Sequence, residues 1–255
     1  MCGLCEDASS YNQCMARPKA LIFDLDGTLV ESDVAAAEGV RYACEVIAGA
    51  VADLTPIEVR AANDRAFASL WPVSERDWTL GRITGEAFSK QVWRLTLQTL
   101  GRFDAGLISM AYDAMTRQTG EVMRAFDDAV ALLPALKGRY RLGCITNGAK
   151  DTQAPKLGLE GLEGVFEAVA VSGTLGFAKP DFRIFHHVLG SLGVLASEAW
   201  HIGDSPSLDI AGANAVGMTS VFINRRARVL RPQEAQPAHE ITSLSELPAL
   251  LDAAG

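Results

Sequence analysis

The stretch from Ala20 to Leu29, A-L-I-F-D-L-D-G-T-L, restricts the fold of this chain more than any other: four apolar residues, two aspartates separated by one leucine, then glycine and threonine. An apolar run without polar alternation, closed by turn formers, suits a strand covered on both faces of a parallel sheet. Asp24 and Asp26 then stand at its carboxyl end, the edge where open α/β sheets bind ligands. Carboxylates this close raise each other's pKa unless something positive sits between them. A set of oxygen ligands at the mouth of a parallel sheet suits Mg²⁺, which keeps several waters and takes one or two carboxylates plus a substrate phosphate. Gly27 lets the chain turn away without a Cβ in the path of a ligand, and Thr28 adds a hydroxyl. On this stretch alone, a surface Asp-x-Asp-Gly turn is the plainer alternative.

From about Glu31 to Phe126 the spacing is helical, with no convincing buried strand. Ala35, Ala36, Val40, Ala43, Cys44 and Ile47 recur at three- and four-residue steps. Thr55-Pro56-Ile57-Glu58 opens a second helix with a cap, a proline at the first position and an acid in the first turn. Thr84-Gly85-Glu86 begins a third, and Leu107 to Met115 supply a fourth. From Asp127 strands and helices alternate: strands over Leu142–Thr146, Ala168–Ser172, Ala199–Gly203 and Thr219–Ile223, helices over Ala129–Leu136, Phe182–Leu192 and Ile210–Val216. Such alternation implies right-handed crossovers and a parallel sheet. Arg225 to Pro237 reads as a surface loop and Leu244 to Leu251 as a closing helix. The first strand therefore belongs with the second half of the chain. The spacing predicts an α/β core of residues 18–32 and 127–255, interrupted by a helical block of residues 33–126. Residues 1–17 are expected to be a disordered N-terminal extension.

A net charge of -8 over 255 residues argues against a general nucleic-acid binder. It does not oppose a phosphorylated small molecule, because a local metal and one lysine outweigh the global field. No apolar run approaches the length of a membrane span, and the amino terminus lacks a signal-peptide pattern, so a cytoplasmic protein without a membrane partner is expected, as monomer or homodimer. Five cysteines fit reduced thiols. Cys2, Cys5 and Cys14 form C-x2-C-x8-C, but no fourth zinc ligand lies nearby in sequence.

Each later strand delivers a polar group at the same edge. Thr146-Asn147-Gly148 brings a hydroxyl, an amide and an open N–H, although a plain turn suits this tripeptide nearly as well. Lys179-Pro180 places a lysine at the start of a helix, where the dipole favours anions, although taken alone a solvated surface lysine is the plainer reading. Gly203-Asp204-Ser205-Pro206-Ser207-Leu208-Asp209 adds two more carboxylates, of which Asp209 can cap the helix expected near Ile210. Acid pair, hydroxyl, lysine and second acid pair together make a site able to hold Mg²⁺ and phosphate.

D-L-D-G-T-L, I-T-N-G, A-K-P-D and G-D-S-P-S-L-D resemble the four ordered motifs of the haloacid dehalogenase-like (HAD) superfamily, from about Lys19 to Leu251, and the helical block resembles its helical-cap subgroup. The resemblance implies a Rossmann-like parallel sheet core with an inserted all-helical cap domain. It also implies a Mg²⁺-dependent phosphatase working through an aspartyl-phosphate, because the dehalogenases lack the second acid, here Asp26. In that reading Asp24 is the nucleophile and Asp26 the acid and base. Thr146, Asn147 and Lys179 hold the phosphate. Asp24, the Asp26 carbonyl and Asp204 hold the metal, with Asp209 behind them. Nucleoside monophosphates and sugar phosphates are the expected substrates. A phosphomutase, and a non-catalytic binding module of the same fold, remain as alternatives. In the cap, Trp93 is expected in the core, and Trp71 to Gly85 as a loop lining the site.

Overall fold

The computed structural model describes residues 17–254. The expected disordered extension, Arg17 aside, and the Cys2, Cys5 and Cys14 pattern lie outside the described residues. In chain order the elements are β1 (Ala20–Phe23), α1 (Ser32–Ala50), α2 (Pro56–Thr79), α3 (Gly85–Thr99), α4 (Ala105–Val122), α5 (Asp127–Leu136), β2 (Arg141–Thr146) and α6 (Lys150–Gln153). They continue with β3 (Ala168–Val171), α7 (Ser172–Leu175), α8 (Phe182–Leu192), β4 (Ala199–Gly203), α9 (Ala211–Val216), β5 (Thr219–Ile223), β6 (His239–Ile241) and α10 (Leu247–Ala253).

All six strands run parallel in the order β3-β2-β1-β4-β5-β6. The alternation of side chains along β1 explains why it is apolar throughout. Leu21 and Phe23 enter a cluster with Ala129 and Leu133 of α5 and Leu247 and Leu251 of α10. Ala20 and Ile22 enter the opposite cluster, with Ile184, Phe185 and Val188 of α8 and Ala213 of α9. Complete burial of Leu21, Ile22 and Phe23 contributes roughly 1.5–3 kcal/mol each. Strand order reverses between β1 and β4, so Asp24 and Asp204 flank the reversal point, where this architecture leaves a crevice.

The four helices after β1 gather around their own apolar cluster, in which Ile47, Trp93, Leu97 and Ile108 are buried. Their starts follow the sequence closely. Thr55 and Glu58 form a reciprocal capping box, and Thr84 and Asp104 accept from Ala87 N–H and Leu107 N–H.

Three expectations need correction. Trp71 to Thr79 is not loop, because α2 continues through Pro72 and only residues 80–84 turn. The hydrogen bond and sterics lost at an interior proline cost about 3 kcal/mol. Phe67 and Trp71 pack on Phe88 of α3, and Trp78, on the other side of Pro72, packs on Trp71, which together offset that cost. Strand β6 was not anticipated; His239-Glu240-Ile241 is too short for a pattern to show. Asp209 does not cap a helix beginning at Ile210, because one wide helical turn over Pro206–Ile210 already contains it.

A second fastening joins α5 to the end of the chain. Asp128 takes both Arg225 amino groups at 2.9 Å, the Ser243 hydroxyl at 2.7 Å and Leu244 N–H at 2.9 Å. Burial pushes its carboxyl up, but these partners outweigh burial and hold it below the ordinary value. A lowered carboxyl stabilises the fold at neutral pH and loses that contribution as pH falls through the carboxylate range. Asp128→Ala should lower stability by about 2–4 kcal/mol. Urea unfolding would show the loss at pH 7, with the gap to the parent narrowing toward about pH 3.

Candidate active site

Lys179 is the hub of the sheet edge. Its ammonium, almost fully buried, donates to Asp24 Oδ1, to Asp209 Oδ1 at 2.7 Å and to the Ile145 carbonyl at 3.2 Å. Burial pushes the amine down, but the two carboxylates more than compensate and keep it charged. Asp209 is held down to about 2: burial would raise it, and Lys179 and His201 overcome that effect. His201 Nε2 lies 2.9 Å from Asp209 Oδ1, and burial keeps the imidazole neutral, so Nε2 carries the proton and donates. Ser205 N–H occupies the other oxygen of Asp209 at 3.0 Å.

Asp24, Asp204 and Asp209 each offer an oxygen within 4.8 Å of the others. Burial drives the Asp24 carboxyl well above its ordinary value, with Lys179 pulling the other way and Asp209 and Asp204 pushing further up. Asp204, although exposed on the cavity wall, is raised to about 6 by the desolvating protein around its carboxyl and by Asp209. Excess negative charge on an all-oxygen donor set is what a hard divalent cation relieves. Gly27, at φ 76, turns the chain past the Asp204 carboxylate, where a Cβ would collide with Oδ2.

Asp26 points elsewhere: its Oδ1 receives Lys156 Nζ at 2.6 Å, and no other hydrogen bond reaches that carboxylate among the described residues. Thr146 is buried with a hydroxyl that has no partner among the described residues. The Asn147 side chain is occupied. Its Nδ2 donates to Lys179 O at 3.0 Å and its Oδ1 accepts from Lys179 N–H at 2.9 Å, tying the end of β2 to the lysine. The structure thus brings Asp24, Lys179, Asp204 and Asp209 to one point, with Thr146, Asn147 and Asp26 around it.

These groups floor a cavity of about 590 Å³ whose opposite wall comes from α1 to α4. Two contacts hold that wall in place. Ser172 Oγ donates to Thr79 O at 2.6 Å and accepts from Gly148 N–H at 2.8 Å. Asp151 accepts from Gly85 and Glu86 N–H at 2.9 and 3.0 Å, filling the donor-rich start of α3 with a carboxylate.

Sequence reasoning passed over Lys156, His201 and Gln153. Lys156 sits in a short 3-10 turn without periodicity. His201 lies inside an apolar strand, and only the polar exception within A-W-H-I-G could have flagged it. Gln153 Nε2 donates to Asn147 O at 3.0 Å and leaves a buried Oε1 without a partner among the described residues.

A parallel α/β sheet with a carboxylate and lysine cluster at its reversal point, under a helical insertion, is the architecture of a Rossmann-like enzyme with its site at the sheet edge. The haloacid dehalogenase-like hydrolase family model matches residues 18–217, and the chain belongs to that family. It is 26% identical to the N-acylneuraminate-9-phosphatase of Mus musculus over 249 residues, covering 93% of this chain and 95% of that one. It is 31% identical to the pyrimidine 5'-nucleotidase YjjG of Escherichia coli over 140 residues, 54% of this chain and 62% of the relative. The Mg²⁺-bound crystal structure of the putative HAD-hydrolase YfnB of Bacillus subtilis superposes with a TM-score of 0.69 at 26% identity, covering 92% of this chain and 99% of that one. Within the family, this chain stands with the phosphoric monoester hydrolases.

Proposed function

We propose that this protein is a Mg²⁺-dependent phosphatase of small phosphorylated metabolites that works through an aspartyl-phosphate on Asp24, with residues 33–126 as the cap closing over the sheet edge. The observation that carries this reading is the convergence of Asp24, Asp204 and Asp209 within 4.8 Å around the Lys179 hub. Asp24, the Asp26 carbonyl and Asp204 would hold the ion; Asp209, already engaged by Lys179, His201 and Ser205, supports them from behind. The ion supplies charge neutralisation to the nucleophile and the phosphate when bound.

The chain's own residues do the rest. A carboxylate oxygen of Asp24 attacks phosphorus, and the phosphorus–oxygen bond to the alcohol breaks with its electron pair passing to the alcohol oxygen. Asp26 donates the proton that the departing oxygen needs. Lys156 holds Oδ1, which leaves the other oxygen for proton exchange. Water then attacks the acyl phosphate while Asp26 takes a proton back, releasing inorganic phosphate and free Asp24. Lys179 neutralises charge beside the nucleophile, and Thr146 Oγ1 with the main-chain N–H of Asn147 receives phosphate oxygens. A phosphate there would satisfy the buried Thr146 hydroxyl, whose isolation otherwise costs about 1–3 kcal/mol.

The test is phosphate release from a panel of phosphate monoesters with and without Mg²⁺, with Asp24→Asn as the blank. Absence of metal-dependent release across sugar, nucleoside and small-acid phosphates would reject the reading. The pH dependence of metal binding is a further expected outcome. A carboxyl raised to about 6 disfavours the charged form, so Asp204 gains a proton as pH falls through about 6, and that proton competes with the ion. The rise in Tm on adding Mg²⁺ should be full near pH 7.5 and shrink toward zero by about pH 5. An unchanged Tm increment across that window would exclude Asp204 as a ligand.

A further inference from the structure

The geometry points to a phosphomonoester whose alcohol carries an uncharged aromatic ring, seated in the aromatic wall above Asp24. This inference rests on the phosphatase reading and names the substrate class for the same site.

Four rings form the wall: Phe67 stacks on Trp71 at 5.6 Å between centroids, and Trp71 meets Trp78 and Phe88 edge-on at 5.4 and 5.5 Å. All four line the cavity that contains Asp24, Thr146 and Lys179. Trp78 joins the wall to the floor. A methyl on Gly148 would stand 2.6 Å from its Cη2, so the indole lies directly against the loop that follows Thr146. A molecule with its phosphate at Thr146 and Lys179 has its alcohol portion delivered to these ring faces and edges.

The charges along the cavity disfavour phosphate esters that carry a second anionic group. Lys156 and Lys179 are the only cationic residues lining it among the described residues, and both already serve carboxylates on its floor. Asp24, Asp26, Asp33, Asp204 and Asp209 line it as well. A second anionic group on the substrate would leave water to face acids and rings without a partner, which burial penalises heavily. Besides the open Gln153 Oε1 near Asn147, an amide acceptor stands in the helical wall. Buried Asn63 donates through Nδ2 to Thr96 Oγ1 at 3.2 Å, and that hydroxyl gives its own proton to Val92 O at 2.8 Å. The amide orientation is thereby fixed, and Asn63 Oδ1 has no protein donor among the described residues, so a ring bearing an N–H or O–H would be matched there. The volume, about 590 Å³, holds a ring plus phosphate.

The experiment compares alcohols of similar basicity, so that leaving-group chemistry does not decide the outcome: benzyl, propyl and 4-carboxybenzyl phosphate with the Mg²⁺-loaded full chain. Benzyl phosphate should exceed propyl phosphate by at least about 10-fold in kcat/KM, and the carboxylated ring should fall at least about 10-fold below benzyl. Calorimetric titration with benzyl-, propyl- and 4-carboxybenzylphosphonate reads the same preference without turnover. Trp71→Leu, and the half-exposed Phe67→Leu in case the first fails to fold, should each reduce the benzyl-to-propyl ratio several-fold. Equal binding of benzyl- and propylphosphonate, tighter binding of the carboxylated ring, or a ratio unmoved in both folded variants would overturn the inference. Failure of every ester to release phosphate, with benzylphosphonate still bound preferentially, would sink the phosphatase reading and leave the aromatic site standing.

Discussion

Asp24→Asn should remove phosphatase turnover, a fall in kcat of roughly 10⁴-fold or more, because the neighbouring carboxylates among the described residues have other partners or roles. Its neighbours are committed: Asp209 to Lys179, His201 and Ser205, Asp26 to Lys156, and Asp204, in the proposed reading, to the ion. The substitution should leave the fold intact. Burial already pushes the Asp24 carboxyl far above its ordinary value, so its charge opposes folding when no cation is bound, and a neutral amide of the same shape removes that opposition. The expected result is an inactive variant whose Tm in chelator equals or exceeds that of the parent. Turnover within tenfold of the parent would exclude Asp24 as nucleophile, and a lower Tm in chelator would mean that the Lys179 contact outweighs the desolvation cost.

Lys179→Met carries the largest expected effect on stability. It deprives two buried carboxylates of their shared cation, and breaking a buried pair on one side costs about 3–5 kcal/mol. For a chain of this size that corresponds to a fall in Tm of roughly 10 °C. Turnover should be lost as well, through the phosphate contact and through the displaced end of β2 that Asn147 fastens to the Lys179 backbone. Combining Lys179→Met with Asp24→Asn should recover part of the lost stability, because one of the stranded charges is gone. Strict additivity in urea unfolding would mean that the two side chains do not share an interaction.

The parts of this architecture that could be read from sequence are those in which one residue type has one physical reason to be there. The apolar run of β1 is explained by burial on two faces, and Thr55 with Glu58 by a capping box. Asp24 and Asp204 stood out because each closes a buried strand, where an acid needs a partner, whereas Lys179 stood out only through its order and company with them. Lys156 gave no comparable signal because its partner Asp26 lies 130 residues away in sequence, and His201 gave little because it is one polar residue inside an apolar strand, although Asp209 follows only eight residues on. The Trp71 to Gly85 stretch misled because Pro72 is a strong local breaker and the rings that outweigh it act through tertiary packing. Its place at the wall of the cavity was nonetheless readable from its tryptophans.

The position of β1 between β2 and β4 sets an order of events during translation. The ribosome delivers Ala20–Phe23 first, yet the hydrogen-bonding partners on its two sides, Arg141–Thr146 and Ala199–Gly203, emerge much later. Meanwhile α1 to α4 already hold the residues of their own cluster and can assemble while the nascent strand waits with both edges open. A chain stalled before Ala199 therefore displays an apolar edge to whatever chaperone is near, and β1 gains its second neighbour only once β4 slots in beside Asp24.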